Sequence, residues 1–100
     1  MKITLLYFED CPHWRIADER LSEVVADRTD VTLTRHRVET WEEAERTAFH
    51  GSPSILVEGV DAFAEPDAPV GLSCRRYLTP EGYAGAPSLA QLRGVLGLPA

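Results

Sequence analysis

Ile3-Thr4-Leu5-Leu6-Tyr7-Phe8-Glu9-Asp10-Cys11-Pro12-His13-Trp14 decides how this chain is read. Residues 2–8 are apolar on both faces, the pattern of a central strand covered from each side. From Pro12 to about Arg28 the period becomes helical: Trp14, Ala17, Leu21, Val24 and Val25 form one buried stripe. Asp18, Glu19, Arg20, Glu23 and Asp27 fall mostly on the outer face. The stretch therefore sets a thiol, Cys11, at a strand-to-helix junction. Pro12 suits the first helical position, where a missing N–H costs nothing. A helix start presents unpaired N–H groups and roughly half a positive charge. Both favour a thiolate, so a cysteine there can have its pKa lowered; the plainer reading of Cys11 is a small residue at a helix start, with Glu9 and Asp10 nearby opposing ionisation.

Beyond the helix, Val31 to Val38 is β-branched and reads as a second strand nearer a sheet edge. Thr40-Trp41-Glu42-Glu43 matches a capping box and opens a short helix, with Trp41, Ala44 and Ala48 inward and Gly51 ending it. Pro53 opens a third strand, Ser54 to Glu58, which Gly59 breaks. Residues 60–71, with the acidic set Glu58, Asp61, Glu65 and Asp67 in and beside them, read as a solvated loop. Leu72 to Thr79 reads as a fourth strand, antiparallel to the third. Ser88-Leu89-Ala90-Gln91 is a second capping box, starting a last helix that Gly97 and Pro99 stop. The expected fold is α/β: a four-stranded mixed sheet in the order βαβαββα, with helices on both faces.

With 100 residues, 44% of them hydrophobic, one domain spanning 1–100 is expected. A formal net charge of -6 argues against nucleic acid as a partner. No apolar run is long enough for a bilayer and no secretory signal is visible, so the expectation is a cytoplasmic protein without a membrane partner. Two cysteines in such a chain are expected to be reduced thiols or a transient redox pair.

In these elements the chain resembles the thioredoxin superfamily, and in length its glutaredoxin-like members. The likeness rests on the strand delivering Cys11 to a helix, on Gly51-Ser52-Pro53 before the third strand, and on the terminal ββα. It implies a cis-proline at Pro53 facing the thiol across a groove, with the Ser52 backbone pairing to an extended substrate or to glutathione. It implies thiol-disulfide exchange through Cys11 on a disulfide-containing protein or glutathione mixed disulfide, with glutathione as co-substrate and no bound cofactor. Pro12, His13, Trp14, Ser52 and Pro53 would line the substrate groove. One departure stands out: the family motif is C-x-x-C, and here Trp14 replaces the second cysteine.

Each candidate has a plainer reading beside the functional one. Cys74 is the candidate resolving thiol, or else a small buried residue of a strand. In the expected register the fourth strand would put Cys74 at the far end of the sheet, unless the loop over 59–72 folds it toward Cys11. His13 could tune the thiol or be an exposed side chain. Trp14 is expected in the core. Arg75 and Arg76 could meet a carboxylate or be solvated. No metal site is read from the spacing. Two further functions remain beside the oxidoreductase: a non-catalytic binding module, and a soft-metal (mercury) protein using Cys11 and Cys74.

Overall fold

Strand β1 (Lys2–Tyr7) is buried on both faces in the computed structural model, which describes residues 1–26, 28–65 and 68–97. Ile3 and Leu5 face one side of the sheet and Leu6 the other, and all three are buried. Both faces must therefore be covered. Helix α1 (Trp14–Val25) does so with Ala17, Leu21 and Val24, and helix α3 (Leu89–Val95) adds Leu92 on the same face. On the opposite face, helix α2 (Trp41–Thr47) sets Ala44 with Leu6, Val38 and Phe49.

Strand β2 (Thr32–Arg37) runs parallel to β1 as an edge strand, and β3 (Ser54–Val57) runs antiparallel on the other side. The sheet is completed by β4 (Val60–Asp61), giving the order β2-β1-β3-β4. Strands β3 and β4 are joined by Glu58-Gly59, both with positive φ (52° and 81°), as a two-residue hairpin turn demands.

The expected four-stranded mixed sheet is present, but its fourth strand is β4 and not Leu72–Thr79. Tyr77–Thr79 (β5) instead pairs with Gly82–Ala84 (β6) in a separate hairpin. Asp61 thus lies in the sheet, not in a solvated loop; Asp67 lies outside the described residues, as do Asp27 and Pro99.

The helix boundaries also differ from expectation. Helix α1 starts at Trp14, preceded by a turn in which Arg15 N–H donates to Pro12 O at 3.2 Å. Helix α2 ends at Ala48 in the left-handed region rather than at Gly51. Trp41 is 58% exposed, because it packs not inward but toward the returning chain at Gly71. The Ser88–Gln91 capping box is complete; at Thr40 only the hydroxyl half forms, and Glu43 reaches the Glu39 N–H instead. Among the described residues no helix is long and apolar enough to cross a membrane.

Candidate redox site at Cys11 and Cys74

A tight turn brings Cys11 out of β1. Its N–H donates to Phe8 O at 3.0 Å, and Pro12 then leads into α1. Beside it, Gly51 has φ +112°, a conformation that L side chains rarely adopt. A Cβ on Gly51 would also stand 3.0 Å from Arg75 Cβ, so the glycine admits a close approach of the 73–75 segment. The Ser52–Pro53 peptide bond is cis.

Ser52 is fully buried and uses all its polar groups. Its hydroxyl accepts from Phe8 N–H (2.9 Å), its N–H donates to Ser73 O (2.7 Å) and its carbonyl accepts from Arg75 N–H (2.8 Å). The last two bonds form a parallel bridge between Ser52 and Cys74. The backbone pairing expected for an extended partner is therefore occupied by the chain itself.

This bridge carries Cys74 to Cys11. The two form a disulfide with a Cα–Cα distance of 5.6 Å, inside the usual range, across 63 residues of sequence. The plainer reading of Cys74 as a buried strand residue does not hold: it is exposed. Cys11 is the buried partner at 1% exposure, and its Sγ lies 3.6 Å from Ser52 O. His13 is exposed, and its ring nitrogen lies with both sulfurs in a cluster spanning at most 4.8 Å. The imidazole rests on Gly85, where an added Cβ would overlap it.

Trp14 is half-buried and packs against the core cluster that β1, α1 and α3 share. Its ring stacks on Tyr7 at 4.2 Å between centroids, and Arg15 stands over it. It stands at the fourth position of Cys11-Pro12-His13-Trp14 as an aromatic wall beside β1. Pro12 is exposed and Pro53 buried.

Arg75, read from the sequence as meeting a carboxylate or being solvated, and Tyr77, not singled out there, hold the Cys74 segment. Arg75 pairs with Asp61 at 2.8 Å, reaches Phe63 O at 2.5 Å and Ser54 Oγ at 3.2 Å, and lies over the Tyr77 ring. Tyr77 donates its hydroxyl to Pro53 O, and burial pushes its phenol pKa upward. Burial alternates along 75–77, with Arg75 and Tyr77 inward and Arg76 exposed, but Arg-Arg-Tyr has no alternation of polarity by which the sequence could have marked it.

A hollow of about 300 Å³ opens beside Cys74, bordered by His13, Arg76, Tyr83 and Gly85. A larger one, about 500 Å³, lies between β6 and α3 and has neither cysteine nor histidine in its wall. Comparison with family models, curated proteins and solved structures found no match to this chain.

Proposed function

We propose that the protein is a small thiol-disulfide oxidoreductase of thioredoxin-like fold, with Cys11 and Cys74 as its redox couple. The observation that carries this reading is the bond between a buried sulfur at a strand-to-helix junction and an exposed cysteine 63 residues away. Exposed disulfides are the labile ones, open to attack by outside thiolates, whereas structural staples resist reduction. The strand order β2-β1-β3-β4 and the cis Ser52–Pro53 bond support the fold reading. Cys74 supplies a second thiol where Trp14 stands in place of the usual one, so a mixed disulfide can be released internally. The partner is a disulfide-containing protein or glutathione; a protein partner that pairs with Ser52 must first displace the 73–75 segment.

A second reading has its own observation. Cys11, Cys74 and His13 bring two sulfurs and a nitrogen within 4.8 Å of one another in the disulfide form; reduction would free these three as a donor set suited to a soft cation. The two readings separate in one experiment: glutathione-coupled reduction of a small disulfide by wild type and by the double variant Cys11→Ser/Cys74→Ser. Turnover by wild type alone supports the oxidoreductase. Equal, background rates with stoichiometric mercury(II) uptake by reduced wild type favour the metal reading.

A further inference from the structure

We propose that Cys74, rather than Cys11, is the sulfur that exchanges with an outside partner, and that the preferred partner is a thiol or disulfide bearing a carboxylate. This rests on reading the two cysteines as a working redox couple. In thiol-disulfide exchange the attacked sulfur must be reachable, and access selects between the two sulfurs of a bond. Cys11 is 1% exposed, with the Ser52 carbonyl beside its Sγ. Cys74 is exposed and borders the hollow of about 300 Å³.

The charge of that hollow points to the ligand. Arg76 is exposed at its rim, with its guanidinium 4.5 Å from the centre of the exposed Tyr83 ring. Among the described residues it has no carboxylate partner, whereas the neighbouring Arg75 is taken by Asp61. A guanidinium held on an aromatic face beside a reactive sulfur is a docking point for an anionic group on the incoming molecule.

In the reducing direction an outside thiolate attacks Cys74 Sγ. The bond to Cys11 Sγ breaks, its electron pair leaves on Cys11, and that sulfur is protonated from solvent. A second outside thiolate attacks the partner sulfur of the mixed disulfide, forms the partner's own disulfide and releases Cys74 as a thiolate. Two outside thiols are oxidised and the protein disulfide gains two electrons. In the oxidising direction the Cys74 thiolate attacks an outside disulfide and expels one thiolate. Cys11 thiolate then attacks Cys74 Sγ, expels the second thiolate and restores the protein disulfide.

Single-cysteine variants test this with glutathione disulfide as probe and intact mass as readout. Cys74 in the Cys11→Ser variant should form the glutathione adduct at least about tenfold faster than Cys11 in the Cys74→Ser variant. The reduced wild-type protein supplies a check free of substitutions: brief alkylation followed by peptide mapping should label Cys74 first. In the Cys11→Ser background, Arg76→Gln should slow the reaction with glutathione disulfide about threefold and leave that with neutral hydroxyethyl disulfide unchanged, as expected for a surface charge contact. Faster reaction or earlier labelling at Cys11 overturns the assignment of Cys74 while leaving the redox couple standing. Equal loss with both disulfides overturns the carboxylate preference. Failure of glutathione to open the wild-type disulfide overturns the redox couple itself, and this inference with it.

Discussion

The Arg75 guanidinium meets the Asp61 carboxylate at 2.8 Å with both side chains only 10% exposed, and this pair fixes the residue next to Cys74. Asp61 belongs to the sheet through β4, so the ion pair ties the Cys74 segment to the same framework that carries Cys11. Besides the disulfide, the segment is held by Arg75, Tyr77 and the Ser52 bridge.

Removing one partner of that pair should leave a buried charge uncompensated. Asp61→Ala is expected to cost about 3 kcal/mol in urea unfolding of the reduced protein. It should also make the Cys11–Cys74 bond easier to reduce, by about 30 mV for each 1.4 kcal/mol of lost positioning. An unchanged potential in a destabilised variant would show that Arg75 supports the fold without positioning Cys74.

Gly85 makes a different kind of prediction. His13 lies against its backbone, so Gly85→Ala must displace the imidazole from its present place near the two sulfurs. With His13 tuning the thiols, the functional one of its two readings, Gly85→Ala should slow thiol exchange to the same extent as His13→Ala, and the double variant should be no slower than either single one. Additive losses, measured by stopped-flow exchange, would show that Gly85 acts through something other than His13.

How far these relationships were legible follows from the periodicities involved. The run from β1 to β3 announces itself through alternation and helical stripes, and both faces of its sheet were readable from Ile3, Leu5 and Leu6. Strand β4 has two residues and no period to detect. Missing it displaced the fourth strand to Leu72–Thr79 and put Cys74 at the wrong end of the sheet. Cys11 and the Gly51-Ser52-Pro53 element were legible because a backbone junction and a positive φ restrict residue choice locally. The Asp61–Arg75 and Gly85–His13 relationships join residues that are distant in sequence, where no local pattern marks them.

Two carboxylates predict the acid limb of stability. The Glu39 N–H, and after it His36, hold the Glu43 carboxyl below the usual carboxylate range. Arg28 holds that of Asp30 down to about 2. Both groups release their protons more readily in the folded chain than in the unfolded one. Their stabilisation is complete above the unfolded value of about 4 and is lost as pH falls through the folded values. Thermal midpoints should fall between about pH 5 and pH 2, and Glu43→Gln should flatten the upper part of that slope. An unaltered slope in that variant would contradict the assignment.

The disulfide also closes a 63-residue interval, which restricts the unfolded chain. Oxidised protein should be more stable than reduced protein by about 4 kcal/mol in urea unfolding, the chain-entropy expectation for a loop of this length. Identical midpoints for the two forms would indicate that the bond is not populated in solution.

The central claim is that Cys11 and Cys74 interconvert reversibly between dithiol and disulfide. Equilibration of the wild-type protein with defined ratios of reduced and oxidised glutathione, quenched by acid and counted by intact mass, tests it most directly. One two-electron transition is expected, reached from either direction, in which the Cys11–Cys74 bridged peptide appears and disappears as a unit. A protein that keeps two free thiols at every ratio, or a bridge that glutathione never opens, would contradict it.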